Sequence, residues 1–427
     1  MTQTAGAPAP TTVATAPATP AVPAPAAASA RDLTEDVPRL LNRLQVLAVA
    51  ACVLFGALAA ILQVLSWQAN GRAADNTEQV VRVQQIQSLL LRADAVATNS
   101  YLVGGLEPAA ARAEYDESIE TVLRLVADAA EAQPADRRVL ADLNTAISSY
   151  TTSVAQARDY NRQQLVIGIA YLNDARTAMR SDVLPITEAL ADANAERATD
   201  EMGGQSPLWL LLAGAVALGA LVVVNRQVAQ RFHRRYNVGL VVAAVIVAAV
   251  TLATAWHAQS EHNDNESLQA GEYAAAVDAA SARTAANNAK AIESLGLVNR
   301  GSGESVYEPL WQDQAEIVRD TADALTLMDW EAYVEAHAAI RDADDGGDWD
   351  AAVALATDTA DGSATALLDQ VDASAALEAE TNGAQAAEGF RSGGSFSLVL
   401  IVVTGLGALI AAFAASRGIG TRRREYA

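Results

Sequence analysis

Four long apolar runs, none with a charged residue, punctuate an otherwise polar chain. They are LQVLAVAACVLFGALAAILQVLS at 44–66, PLWLLLAGAVALGALVVVN at 207–225, VGLVVAAVIVAAVTLATAW at 238–256 and FSLVLIVVTGLGALIAAFAA at 396–415. A hydrocarbon core of about 30 Å is crossed by about 20 helical residues, so each run suffices to span it. A water-soluble fold of 427 residues has little use for four such runs. The pattern predicts four transmembrane helices.

Between the runs the apolar residues recur at spacings of three and four, the signature of amphipathic helices. In 67–206 one helix holds VVRVQQIQSLLLRADAVATNSYLV and stops near Val103, with a restart after Pro108. A second holds AAARAEYDESIETVLRLVADAAEA, the turn QPAD follows at 133–136, and a third holds RRVLADLNTAISSYTTSVAQARDYNRQQ. A fourth starts near Gly168, with Pro185 expected to kink it or to sit at a break. The segment 257–395 repeats this plan: a helix to about Val298, a turn at 299–305, a helix expected to break near Met328 and Asp329, a turn and cap at 342–350, and a return helix. Local similarity is loose (AEYDESIETV beside SVYEPLWQDQAEIV), but segment length and order match. The expected fold is therefore all-α: four transmembrane helices with two tandem extracytoplasmic four-helix-bundle domains.

Charge sets the orientation. The loop 226–237 carries Arg226, Arg231, Arg234 and Arg235 without an acid, and the tail 416–427 carries Arg417, Arg422, Arg423 and Arg424 against Glu425. Basic short loops stay in the cytoplasm, so both termini are expected inside a plasma membrane and both long segments outside. The formal net charge is −22; the first long segment contributes −8 and the second −21. Trp67, Trp209, Trp256 and Phe396 mark the expected outer boundary and Tyr236 the inner one. Residues 1–43 form an expected cytoplasmic tail, disordered and rich in Pro and Ala, and the first run is expected to be an uncleaved anchor. The lone Cys52 excludes an intrachain disulfide.

Candidate chemistry is sparse. Asp342, Asp344, Asp348 and Asp350 fall at the first, third, seventh and ninth places of a calcium-loop pattern, but the twelfth place is Val353. The bidentate acid that would close such a loop is missing, and a helix cap explains the segment better. No metal, cofactor, phosphate-loop or nucleophile motif is present. Nucleic acid is excluded as a partner by the acidic surface. The chain is expected not to be an enzyme. Trp311, Trp330 and Trp349 are candidates for a ligand or partner interface, with bundle core as the competing reading. Arg226, Arg231, Arg234, Arg235, Arg422, Arg423 and Arg424 are candidates for a cytoplasmic docking surface, with lipid headgroups as the competing partner.

Two resemblances sharpen this. The outer segments resemble the four-helix sensor domains of bacterial chemoreceptors and sensor kinases. The whole layout resembles the GlnX-like four-pass membrane proteins of actinobacteria, through the Pro/Ala-rich start, the loop QRFHRRYN, the stretch ARDYNRQQLVIGIAYLNDARTAMRSDVLP and the stretch GDWDAAVALAT. That resemblance implies a relay from an extracytoplasmic glutamate/aspartate-binding lipoprotein to a cytosolic serine/threonine kinase of the protein kinase G class. The alternatives are a structural scaffold and a direct small-molecule receptor; a homodimer is compatible with each.

Overall fold

The computed structural model describes residues 28–103, 107–204, 206–232, 236–300 and 303–425, and the side chains of 28–38, 231–232, 304 and 422–425 are outside that description. Helix α1 (Ala28–Val103) is unbroken for 76 residues. At 1.5 Å per residue it is about 110 Å long, enough to cross a membrane and stand well clear of it. It begins at Ala28, so the stretch 28–43, expected as disordered tail, is helical, and Leu41 and Leu44 are buried against the other spans. The rest of the expected tail, 1–27, lies outside the described residues.

The first outer segment adds α2 (Ala109–Ala132), α3 (Arg137–Arg162), α4 (Gly168–Ala178) and α5 (Leu184–Gly203), with a tight turn at Pro134–Asp136. Pro185 does not break the chain. A π turn at Met179–Val183 joins α4 to α5, and the Leu184 N–H donates to Met179 O. A proline has no N–H to give the preceding turn, and a widened turn accommodates that loss. The apolar faces of α1, α2, α3 and α4–α5 close on one core that includes Ile86, Leu90, Val122, Ile147, Tyr150 and Val183.

Helix α6 (Pro207–Phe232) then crosses the membrane and α7 (Val238–Leu268) crosses back. A π turn at Gln269–Tyr273 passes α7 into α8 (Ala274–Val298). The second segment continues with α9 (Glu308–Thr321), α10 (Ala324–Asp345), α11 (Trp349–Thr357) and α12 (Ala364–Ser392), and α13 (Gly394–Glu425) is the last span. The break expected near Met328 falls earlier. Ala322 and Asp323 are extended, and the Asp323 carboxylate accepts the Thr326 N–H at 2.7 Å as the cap of α10.

Each segment has an apolar core of its own, but the two are not clearly separate bundles. Helix α1 packs along α8 and α12 as well as along α2 and α5, so the lobes share a seam. That seam is polar: Arg283 pairs with Asp372 through two bonds of 2.8 Å, Asn287 donates to Asp372 at 2.6 Å and to Ser88 at 3.1 Å, and Arg92 reaches Asp369 at 2.6 Å. Nearer the membrane, α1, α5, α7–α8 and α12 form one stalk packed on Ala73, Ala74, Ala198, Met202, Tyr273, Ala387 and Phe390.

The spans α1, α6, α7 and α13 pack into a four-helix group, and their outward faces remain apolar, as Leu54, Val216, Leu252 and Phe413 illustrate. These are faces for lipid, since water would not tolerate so wide an apolar belt. Trp67, Trp209, Trp256 and Phe396 are exposed at the lobe ends of the spans. Small residues let the backbones approach: Gly56 lies against Ala408, and Gly239 against Gly418 and the Ala414 carbonyl. At the opposite end from the lobes Asn237 caps α7, accepting the Gly239 N–H at 3.0 Å and donating to Gly418 O at 2.8 Å.

Each of the four spans runs into the lobes as a long helical line, 58 to 65 residues in length. Helix α1 is unbroken, the α7–α8 line carries the π turn at Gln269–Tyr273, and on the α12–α13 line the Gly393 O still accepts the Ser397 N–H at 3.0 Å. The close backbone approach at Gly239 makes a test of the span packing. Gly239→Val should cost about 1–3 kcal/mol by overpacking, read as a lower apparent melting temperature of the solubilised chain. Gly219→Ala, at a site with nothing within 4 Å of the added carbon, should melt as the parent does.

Candidate functional site

The far end of the first lobe is where α1 stops, α2 starts, α3 ends and α4 begins. Helix α1 stops because 103–108 runs into Gly, Gly and Pro. Pro108 is extended and opens α2. The return from α3 to α4 needs a left-handed residue, supplied by Gln164 at φ 55°. These four helix ends do not close. They leave a cavity of about 480 Å³, within the 300–1,000 Å³ range of small-molecule sites. It stands about 50 Å above the end of the first span, counting helical rise from 66 to 100.

Its lining is cationic and polar. Arg112, Arg158 and Arg162 face it from α2 and α3, with Glu107 and Asp159 as the acids and Ser100, Tyr101 and Asn161 as neutral groups. Arg112 pairs with Asp116 at 2.8 Å and Arg162 with Asp159, both half in solvent. Arg158 is nearly buried, its guanidinium 4.0 Å over the Tyr115 ring and its Nη2 2.8 Å from Glu107 Oε1. Among the described residues neither of those two atoms, nor Arg158 Nε, makes a directed hydrogen bond, and Ser100 Oγ has no partner although Ser100 is only 6% exposed. Unpaired buried donors are costly, and here Arg158 and Ser100 carry them on the wall of an open cavity.

The same place in the second lobe is filled. There the ends of α8, α9 and α10 enclose a chain of charges. Lys290 Nζ donates to Glu293 Oε1 at 2.6 Å and to Ala356 O at 2.9 Å. Glu293 Oε2 takes the His337 Nδ1 contact at 2.7 Å and the Tyr333 hydroxyl at 3.1 Å. His337 Nε2 meets Glu308 Oε2 at 3.2 Å, and Arg341 lies 3.8 Å from the same oxygen. The His337 ring stacks on Trp311 with centroids 3.8 Å apart, and Trp311 stacks on Trp330 at 5.7 Å. Burial alone would lift the Glu293 carboxyl, but Lys290 and His337 outweigh it and hold it down at about 2. Burial would lower the His337 imidazole; the two glutamates outweigh that and raise it above 6.5. With a carboxylate at each ring nitrogen, His337 is held as the imidazolium.

Of the residues singled out in the sequence, Trp311 and Trp330 are interior, 1% and 0% exposed. Only Trp349 reaches the surface, where its Nε1 donates to Leu297 O at 2.8 Å and Arg300 lies 3.5 Å over its ring. The aspartate segment is a turn and cap. Gly347 takes φ +85°, a conformation suited to glycine, Asp348 accepts the Ala351 N–H at 3.1 Å, and Asp344 is paired to Arg341 at 2.7 Å. Asp342 and Asp350 lie in α10 and α11 on either side. Among the described residues no group of three or more His, Cys, Asp or Glu is placed to hold a metal. Arg226 lies on α6 and Arg422, Arg423 and Arg424 on the last turns of α13; Arg234 and Arg235 lie outside the described residues. The first-lobe arginines and the Lys290–Glu293–His337 chain were not singled out from sequence. Single charges on separate helices carry no motif; the one available signal is that Lys290 is the single lysine of the sequence.

The chain is thus a four-span, all-α membrane protein whose extracytoplasmic segments are helical, with multi-pass plasma-membrane topology. Residues 69–203, which hold most of the first lobe including its cavity, match the family model described as the actinobacterial sensor domain. That is a sensor-type, non-catalytic domain. No curated protein and no solved structure gives a significant match to the chain.

The buried histidine fixes a pH dependence. Its raised pKa means that its contribution to stability is complete below about 6.5 and is lost as the pH rises through the folded value. Glu293 acts oppositely: its contribution holds above 4.5 and is lost only as the pH falls toward about 2. The apparent melting temperature, followed by circular dichroism from neutral to alkaline pH, should therefore fall, and His337→Gln should flatten that fall.

Proposed function

We propose that the chain is a transmembrane relay that couples extracytoplasmic amino-acid sensing to a cytosolic partner. In the form suggested by the GlnX-like resemblance, a glutamate/aspartate-binding lipoprotein engages the lobes and a serine/threonine kinase is engaged inside. The observation that supports the relay is that each of the four spans runs on as a long helical line into the lobes, α1 as one unbroken helix of 76 residues. Rigid rods pass a tilt or piston shift through the membrane.

In this reading both termini and the loop after α6 lie in the cytoplasm. Cysteine placed at the exposed Ser149 and at the exposed Asp361, in a Cys52→Ala background, should then react with an impermeant thiol reagent in intact cells. Protection of both until lysis would reverse the orientation. The output surface is the cluster Arg226, Arg231, Arg234, Arg235, Arg422, Arg423 and Arg424. The Asn237 bond to Gly418, which holds the start of α7 against α13, supports this reading. Arginine's planar fork suits an acidic patch on a kinase or regulator better than lysine does.

Recovery of the chain from membranes with and without glutamate or aspartate should capture a cytosolic partner in a stimulus-dependent way. The same partners under all conditions would instead favour a scaffold. Exchanging Arg231, Arg234 and Arg235 for lysine should leave insertion unchanged and weaken that recruitment; native recruitment would mean that charge alone suffices.

A further inference from the structure

The two lobes repeat one arrangement of helix ends, yet only one of them fills the space between those ends. In the second lobe the place is occupied by the protein's own groups: Glu293 supplies the carboxylate, and Lys290, His337 and Tyr333 supply the donors around it. In the first lobe the corresponding place is the open cavity of about 480 Å³. Donors are present there too, in Arg112, Arg158 and Arg162; the lobe's own buried carboxylate, Asp94, takes the Tyr150 hydroxyl at 3.4 Å and does not line the cavity. Glu107 approaches Arg158 without a directed bond, and among the described residues Arg158 Nε and Ser100 Oγ have no hydrogen-bond partner.

We propose that the first-lobe cavity binds a small organic carboxylate directly, in the role that Glu293 plays internally in the second lobe. Three features of the cavity set this chemistry. The cationic groups are arginines, whose paired N–H donors match the two oxygens of a carboxylate. Arg158 is held in place by the Tyr115 ring and by its near-burial, so its donors are fixed before the ligand arrives. The free Ser100 Oγ, 6% exposed and lining the cavity, adds a neutral partner for the same ligand. Glu107 and Asp159 on the same wall leave room for a ligand that carries an ammonium group as well. The surrounding surface is acidic, so an anion is attracted here by local donors and not by the overall field.

This assignment rests on reading the lobes as the input side of the relay, but it is tested apart from it. The full chain, in nanodiscs, is titrated calorimetrically with succinate, with glutamate and with inorganic phosphate. Saturable binding of succinate or glutamate is expected. Glutamate binding above succinate would identify a zwitterion site and the reverse a dicarboxylate site, either of which supports the proposal. Arg158→Gln should weaken the binding at least about tenfold. Because Arg158 also packs on Tyr115, a second variant is needed: Ala155→Trp, at an exposed position on the cavity wall, should abolish binding while leaving the melting temperature unchanged.

Binding that survives Ala155→Trp would place the ligand elsewhere and overturn the proposal. So would the absence of heat with both carboxylates, or phosphate binding as tightly as either of them, which would make the cavity a generic anion site. A negative titration leaves the relay standing with its input delivered by a binding protein. The relay itself fails only if recruitment of the cytosolic partner is the same with and without stimulus.

Discussion

A peptide group inside a bilayer has no water to bond to, and every backbone donor and acceptor must find its partner within the segment. For this chain the consequence reaches far beyond the membrane. Four helices are forced in the hydrocarbon, and nothing in the following residues stops two of them where the hydrocarbon ends. Helix α1 carries on to Val103 and the α7–α8 line to Val298, so the membrane's demand for helix becomes the frame of both lobes. The remaining helices of each lobe are hung on these lines.

Sharing one frame also explains why the lobes are fused. Helix α1 has an apolar face for its own lobe, with Ile86 and Leu90, and a polar face for its neighbour, with Ser88, Arg92 and Asn99. The seam so formed is held by directed bonds such as Arg283 to Asp372 and Asn287 to Ser88. Burial would push the Asp372 carboxyl up, but the Arg283 fork and the nearby Arg92 hold it below the usual carboxylate range. Buried ionic groups of this kind add less net stability than an apolar core does, and they are best read as fixing register between the two lobes.

The lobes then differ at their far ends. One closes over a chain of paired charges capped by a stacked tryptophan pair, and the other stays open with an arginine fixed in its wall. A repeated architecture in which one copy pairs its buried charges internally and the other leaves Arg158 without a directed bond is a means of separating stability from recognition. The closed lobe supplies a rigid partner along the seam, and the open lobe is free to respond.

Several features of this arrangement were decided locally, and the sequence by itself determined them. The four spans follow from uncharged runs that have no other stable environment. The stop at Val103, the turn at Pro134–Asp136, the start at Gly168 and the cap at Asp348 follow from glycine, proline and aspartate acting on their own neighbours. Other features depend on residues far apart in the chain. Fusion of the lobes needed polar groups on α1, α8 and α12 to meet. The buried Lys290–Glu293–His337–Glu308 chain and the open Arg158 wall each take residues from at least two helices. Hydrophobic period and turn chemistry act over a few residues and can be read along the chain. Charge pairing in a low-dielectric interior depends on which helix ends are brought together, and only the tertiary structure decides that.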